Sequence, residues 1–96
     1  MMELHWTPEA IQDREAIYDY IEADNPIAAL ALDELFEEKA GRLVDHPDLG
    51  RPGRVPGTRE LVAHQNYILV YDLAGDLVRV LRMLHAARQW PPGDRT

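Results

Sequence analysis

The sequence predicts an α+β fold in which an N-terminal strand and a helical hairpin pack on a mostly antiparallel four-stranded sheet, in the order β-α-α-β-β-β. Two helix starts carry proline at the first helical position, at Pro8 and Pro26. Three runs rich in β-branched, aliphatic and aromatic residues follow in the second half, separated by short turns, which is the pattern of an antiparallel meander. A segment dense in proline and glycine, residues 46–57, joins the two halves.

The composition predicts one small cytoplasmic domain over residues 1–96. The chain has no cysteine, which excludes disulfides, thiol catalysis and cysteine-based zinc sites. No apolar run reaches the ~20 residues that a membrane span needs. The N-terminal residues also lack the basic and apolar regions of a secretory signal. We therefore expect no membrane partner.

Charge is distributed unevenly along the chain. The net charge is −7 and the isoelectric point is near 4.9, which argues against a protein whose main task is to bind a phosphate backbone. Residues 1–48 hold thirteen of the seventeen acidic residues, whereas residues 51–96 hold seven of the ten basic residues. The sequence therefore predicts an acidic helical half and a basic sheet half.

The first half predicts a short strand at Leu4–Thr7 and a helix from Pro8 to about Ala23, with the Thr7 hydroxyl as its N-cap. The apolar stripe of this helix consists of Ala10, Ile17 and Ile21, with Arg14 interrupting it and Tyr18 alongside. Its predicted solvent-facing side chains are Gln12, Asp13, Glu15, Asp19 and Glu22.

A second helix is predicted from Pro26 to about Asp45, with Asn25 as its N-cap. Its predicted buried face consists of Ala28, Leu32, Leu35, Phe36, Leu43 and Val44. Its predicted solvent-facing acids are Asp33, Glu34, Glu37 and Glu38. Because the turn between the helices is very short, the two should form an antiparallel hairpin.

Residues 46–57 are predicted to form an ordered crossover loop that presents Arg51 and Arg54, with a flexible linker as the alternative. The density of proline and glycine excludes a helix or a central strand there. Three strands then follow, at about Thr58–Ala63, Tyr67–Leu73 and Leu77–Leu84. By strict alternation, Val78 and Val80 share a face with Arg82, whereas Leu77, Leu81 and Met83 lie on the other face.

Four segments occur in a characteristic order between Leu4 and Pro91. They are Asn25-Pro26-Ile27-Ala28-Ala29, His46-Pro47-Asp48-Leu49-Gly50-Arg51 leading into Gly57-Thr58-Arg59-Glu60-Leu61, Tyr67-Ile68-Leu69-Val70-Tyr71, and Leu81-Arg82-Met83-Leu84-His85-Ala86-Ala87-Arg88-Gln89-Trp90-Pro91. Together they resemble the RelE/ParE superfamily of toxins from bacterial type II toxin–antitoxin pairs. The resemblance implies growth inhibition, a role in plasmid stabilisation, and a small antitoxin that wraps the toxin and alone contacts operator DNA.

The superfamily has a RelE-like branch that cleaves mRNA in the ribosome and a ParE-like branch that inhibits DNA gyrase. Ribonuclease members commonly carry an arginine where this chain has Ile68, and they are basic where this chain is acidic. The ending Leu84-His85-Ala86-Ala87-Arg88 is similar to the ParE-like branch. We therefore expect a gyrase inhibitor. The alternatives are a metal-independent mRNA endoribonuclease and a non-toxic binding module or co-repressor.

The residues expected to contact the target or the antitoxin are Arg51, Arg54, Arg59, Tyr67, Arg82, His85, Arg88 and Trp90. No residue is assigned a catalytic role in a gyrase inhibitor, whereas a ribonuclease would use Arg59, Arg82 and His85. No metal-ligand spacing and no phosphate-binding glycine loop are present, so no metal or cofactor is expected.

Five of these residues also have a structural alternative. Arg59 could form a cross-strand salt bridge, Arg82 could pair with a helix acid, and His85 could bond a backbone carbonyl. Tyr67 and Trp90 could pack on the core. Since the chain is acidic, we expect the antitoxin segment to rely more on apolar side chains than on acids.

Overall fold

The computed structural model describes residues 2–87 and contains two helices and five strands. In chain order the elements are β1 (Glu3–Trp6), α1 (Pro8–Glu22), α2 (Pro26–Asp45), β2 (Arg51–Pro52), β3 (Arg59–His64), β4 (Tyr67–Ala74) and β5 (Leu77–His85). The predicted α+β fold is confirmed, with its helical hairpin on one face of the sheet.

Both helices begin at the predicted caps. The Thr7 hydroxyl accepts a hydrogen bond from the Ala10 N–H at 3.2 Å, and it also donates to the Val80 carbonyl at 2.9 Å, which fixes the start of α1 against β5. The Asn25 side chain accepts from the Ala28 N–H at 3.1 Å. Neither helix of residues 2–87 has the length and hydropathy that crossing a membrane requires.

The sheet has the order β1-β5-β4-β3-β2, with β1 parallel to β5 and every other pair antiparallel. The predicted count of four strands is wrong by one, because Arg51 and Pro52 form a two-residue strand that pairs with Glu60 and Arg59. The proline does not prevent this pairing, because β2 is the edge strand of the sheet and pairs on one side only. An edge strand tolerates the missing N–H of Pro52, whereas a central strand would lose a hydrogen bond.

The core lies between the helical hairpin and one face of the sheet. Helix α2 contributes Phe36, Ala40 and Leu43, and α1 contributes Ala10. The buried residues of the sheet in this cluster are Ala63, Tyr67, Leu69, Tyr71, Val78, Val80 and Met83. Burial of these side chains is the main favourable contribution to folding.

A register shift in β5 changes which of its side chains reach this core. Tyr71 pairs with Val80 and Val70 pairs with Arg82, so Leu81 is an extra residue in β5. The bulge puts Met83 in the core cluster together with Val78 and Val80. The predicted face assignment is therefore wrong from Leu81 onward, because strict alternation does not hold across a bulge.

Candidate partner-binding surfaces

The loop that joins the helices to the sheet is held by a buried tyrosine. Tyr71 is fully buried, and its hydroxyl donates to the Pro47 carbonyl at 2.7 Å while accepting from the Gly50 N–H at 2.9 Å. Burial raises the pKa of Tyr71 above its usual value of 10.0, partly offset by the hydrogen bond from Gly50. A Cβ atom at position 50 would lie 2.8 Å from the Tyr71 ring, so only glycine fits this approach.

Arg59 holds the same loop from the neighbouring strand. Its guanidinium donates to the Gly50 carbonyl at 2.6 Å and to the Asp48 carbonyl at 3.3 Å. These acceptors are backbone carbonyls of the loop, whereas the predicted structural alternative was a carboxylate on a neighbouring strand. The charged end of Arg59 therefore already serves two carbonyls of the loop.

Arg51 and Arg54 lie beside a buried carboxylate. Glu60 is only 4 % exposed, and its side chain accepts from the Arg54 N–H at 3.0 Å and contacts the Arg51 guanidinium at 3.4 Å. The Arg54 guanidinium lies 4.0 Å from the same carboxylate. A buried carboxylate requires such partners, so these two arginines close the loop over Glu60 while keeping about half of their own surface exposed.

Arg82 pairs with an acid of the helical hairpin, which is the predicted structural alternative. Asp13 accepts from the Arg82 Nε at 2.7 Å and from the Met83 N–H at 2.9 Å. Strand β1 pairs with β5 only as far as Val80, so the Asp13 carboxylate takes the place of a strand partner beyond that point. The bond to Asp13 raises the pKa of Arg82 further above its usual range.

Two acids that were predicted to face solvent are instead partly buried and paired with arginines. Asp13 and Asp33 are both half-buried and paired, with Arg82 and Arg14 respectively. Arg14 also lies over the Trp6 ring at 4.4 Å. A helical wheel cannot show these contacts, because the partners come from other elements.

His64, Tyr67 and His85 form an aromatic group at one end of the sheet. The His85 ring lies 5.3 Å from the Tyr67 ring, and Tyr67 packs edge-on against Phe36 at 5.5 Å. His85 is exposed, and its Nδ1 accepts a hydrogen bond from the Ala87 N–H at 3.1 Å rather than donating to the predicted carbonyl. In the neutral ring the proton is therefore on Nε2, which makes that atom a donor.

The other predicted contact residues, Arg88 and Trp90, lie outside the described residues. Among residues 2–87, no three His, Asp or Glu side chains are grouped so that they could hold a metal ion.

The structure has a groove on the helical hairpin that was not predicted from the sequence. This hairpin groove has a volume of about 480 Å³ and is lined by Ile11, Arg14, Glu15, Tyr18, Asp19 and Asp33. Ile11 is 44 % exposed, and within residues 2–87 no side-chain hydrogen bond or ion pair involves the Glu15 or Asp19 carboxylate. The spacing of Ile11, Glu15 and Tyr18, at i, i+4 and i+7, is the sequence signal that could have revealed it.

The sequence matches known proteins over most of its length. Residues 4–90 match the family described as ParE toxin of type II toxin–antitoxin system, parDE. Y4kP, a candidate toxin of Sinorhizobium fredii, is 39 % identical over 89 residues, which cover 92 % of each chain. Toxin RelE2 of Caulobacter vibrioides is 36 % identical over 88 residues, which cover 92 % of this chain and 99 % of that protein.

Solved structures share the fold. A chain of the chromosomal ParDE system from P. aeruginosa superposes with a TM-score of 0.80 at 31 % identity, covering 88 % of this chain and 96 % of that chain. A chain of the YoeB–YefM complex from Staphylococcus aureus gives a TM-score of 0.60 at 15 % identity, covering 88 % and 97 %. YafQ from E. coli gives 0.58 at 17 % identity, covering 91 % and 96 %. The last two likenesses concern the fold alone.

Proposed function

The chain belongs to the ParE toxin family of type II toxin–antitoxin systems, and we propose that it inhibits DNA gyrase without cutting RNA and is neutralised by a cognate antitoxin. The general function as a toxin of such a system follows from the family match and from the relatives that share it. The choice of gyrase over mRNA rests on the contacts of the arginines and on the positions of the three residues that a ribonuclease would use.

The observation that carries the proposal is that every arginine of residues 2–87 already contacts a carboxylate or a backbone carbonyl. The contacts are those of Arg14, Arg42, Arg51, Arg54, Arg59, Arg79 and Arg82. Cleavage at a 2′-hydroxyl requires cations directed at the developing charge on the phosphate. Using these arginines in that way would break contacts that hold the loop and the strands together.

The three candidate ribonuclease residues also lie far apart. Arg59 pairs with Tyr71, whereas His85 pairs with Tyr67, four residues away along β4, which is a separation of ~13 Å along the strand. Arg82 pairs with Val70 and extends to Asp13 at the sheet edge. A general base and its electrophilic partners must reach the same few atoms of the substrate, and these residues do not meet that condition.

The hydrogen bond made by the His85 ring supports the same conclusion. A general base needs a lone pair directed at the substrate, but Nδ1 of this exposed ring accepts from the Ala87 N–H. The remaining nitrogen, Nε2, carries the proton of the neutral ring and can only donate. His85 therefore fits a surface that binds a partner better than a catalytic base.

A cognate antitoxin is inferred from the family match and from the likeness to a chain of the chromosomal ParDE system. The net charge of −7 makes direct contact with operator DNA unfavourable for this chain. Contact with DNA therefore falls to the antitoxin. Since both proposed partners are cytoplasmic proteins, the proposal includes a cytoplasmic location.

The proposal is tested by expressing the chain alone in bacteria, and together with its neighbouring gene, while scoring growth. The purified chain is then assayed for inhibition of gyrase supercoiling and, separately, for cleavage of mRNA in a translating extract. We expect growth arrest that the neighbouring gene relieves, inhibition of gyrase, intact mRNA, and full inhibition by the His85→Gln variant.

The other outcomes reassign the function. Arrest with gyrase unaffected and mRNA cut would establish the ribonuclease alternative, to which the name of the relative RelE2 gives some weight; loss of that cleavage in His85→Gln would then identify the base. No arrest at all would leave a non-toxic binding module or co-repressor.

A further inference from the structure

The hairpin groove is a concave surface that lies apart from the contacts described for the sheet. Its volume of about 480 Å³ lies between α1 and Asp33 of α2. A second, smaller hollow of about 300 Å³ follows at the hairpin turn, lined by Tyr20, Ile21, Asp24 and Asn25. Tyr20 is 81 % exposed, and Ile27, in the first turn of α2, is 83 % exposed. The outer side of the hairpin therefore offers apolar side chains over much of the length of α1.

The charge of the groove is negative and partly uncompensated. Its lining carries three carboxylates and one guanidinium, a net charge of −2. Arg14 is already paired with Asp33 at 2.8 Å and lies 3.8 Å from Glu37. The carboxylates of Glu15 and Asp19 have no such partner within residues 2–87. A cation entering the groove would therefore meet two carboxylates and no repelling free arginine.

Apolar and acidic side chains alternate along this surface, which suits a long side chain with a positively charged end. The aliphatic stem of an arginine or lysine can lie on Ile11 and the Tyr18 ring while its charged end reaches Glu15 or Asp19. The face of a tyrosine ring is also attractive to a cation. An acidic segment would be repelled at the same place.

We propose that the hairpin groove binds a segment of the antitoxin that carries arginine or lysine beside aliphatic side chains, and that Glu15 and Asp19 determine its specificity. This inference rests on the proposed function, since it names the chemistry of the proposed partner. The occupant differs from the acidic segment that a basic toxin would select, because specificity follows the charge of the toxin surface.

The test measures binding of the purified antitoxin, the product of the neighbouring gene, to the full-length chain and its variants by calorimetry. The groove variant is Glu15→Gln with Asp19→Asn, which keeps the shape and removes both charges. The control variant is Glu34→Gln with Asp45→Asn, which removes two exposed carboxylates of α2 outside the groove lining. Both variants have the same net charge, so an effect of overall charge would be equal in the two.

We expect the Kd of the groove variant to rise about tenfold and that of the control to change less than about threefold. The Kd of the unaltered chain should also rise more steeply with salt than that of the groove variant, because the screened pairs are absent in the variant. An equal change in both variants, or no change in either, would overturn the inference.

Failure of the inference is distinguishable from failure of the proposed function. Gyrase inhibition by the free groove variant is measured alongside, and its retention shows that the variant is folded. If the unaltered chain binds no antitoxin, the proposed function and the inference fall together. If it binds but the groove variant binds equally well, only the inference is overturned.

Discussion

The arginines of the sheet and the acids of the hairpin differ in whether they have partners. Arg59 and Arg82 lie in the basic half of the chain, and each is bound to a carbonyl or a carboxylate of another element. Glu15 and Asp19 lie in the acidic half, exposed beside Ile11, with no ion pair within residues 2–87. The residues that resemble a binding site in the sequence hold the fold, whereas residues assigned to a solvated face are available for a partner.

The comparison teaches that residue type alone does not identify a binding surface. A charge that is already paired and partly buried is costly to redirect toward a ligand. An exposed, unpaired charge beside apolar surface loses little when a partner binds. Changes in the sheet should therefore affect stability, and changes in the hairpin groove should affect binding.

The largest expected effect is at the junction between the loop and the sheet. Gly50→Ala places a Cβ 2.8 Å from the Tyr71 ring and 2.9 Å from the Glu60 carbonyl. We expect the free energy of unfolding to fall by about 3 kcal/mol, because a buried site of this kind cannot accept another carbon without displacement.

The hairpin supplies a matched control, because no atom lies within 4 Å of a Cβ built at Gly41. Gly41→Ala should raise stability by about 0.5–1 kcal/mol through its helix propensity. Urea unfolding of both variants measures the difference. Equal effects of the two substitutions would show that the loop adapts to the added carbon.

A smaller loss of stability is expected when the edge of β5 loses its carboxylate. Asp13→Ala removes the acceptor of the Arg82 guanidinium and of the Met83 N–H, and we expect a cost of about 2 kcal/mol, since both donors are left without that partner. Asp19→Ala, on the same helix but unpaired, should change stability by less than about 0.5 kcal/mol. Thermal unfolding of the two variants measures the difference in stability. A marked loss of stability in Asp19→Ala would contradict the distinction between acids that hold the fold and acids that are free to bind a partner.

These two acids also show what the sequence can and cannot predict. Capping residues and β-rich runs define helices and strands locally, so the bounds of α1, α2 and the meander follow from the sequence to within about two residues. The partner of Asp13 depends on the bulge at Leu81 and on α1 lying along the edge of β5. Such contacts join residues far apart in sequence and leave no periodic signal.

The edge strand β2 and the hairpin groove escaped prediction for related reasons. Two residues that pair at a sheet edge are too few to give an alternating pattern. The groove depends on which acids find partners, and Asp33 pairs with Arg14 while Asp19 does not pair. Composition and periodicity assign the same solvated role to both.

The next effect concerns alkaline pH. The pKa of Tyr71 is raised above 10.0 in the folded chain, so the folded state holds the phenol proton more tightly than the unfolded state. This contribution to stability is complete below the unfolded value and is lost as the pH rises through the folded value.

Tyr71→Phe removes both the contribution and the bonds to Pro47 and Gly50. The variant should be about 1 kcal/mol less stable near neutral pH and should lose less stability than the unaltered chain as the pH rises above about 10. Urea unfolding across this range measures the slope. Tyr20→Phe, at a side chain 81 % exposed, should keep the stability of the unaltered chain near neutral pH, and a slope that Tyr71→Phe leaves unchanged would contradict the assignment to Tyr71.

The smallest effect is expected for an ion pair within the hairpin. Arg42 and Glu38 pair at 3.2 Å one helical turn apart, with about half of each side chain exposed. Arg42→Ala should cost only about 0.3–0.5 kcal/mol, because exposed pairs of this spacing are screened by solvent. Denaturant unfolding with and without added salt checks this, and a loss above about 1 kcal/mol would indicate a role in packing that the pair does not show.

The most direct test of the division between sheet and hairpin is an NMR titration of the ¹⁵N-labelled chain with the unlabelled antitoxin. We predict that the backbone amide resonances of residues 11–19 shift on binding, with the largest changes near Glu15 and Asp19. These changes in chemical shift should be smaller in the Glu15→Gln/Asp19→Asn variant. Shifts confined to β3, β4 and β5, with residues 11–19 unchanged at saturation, would contradict it.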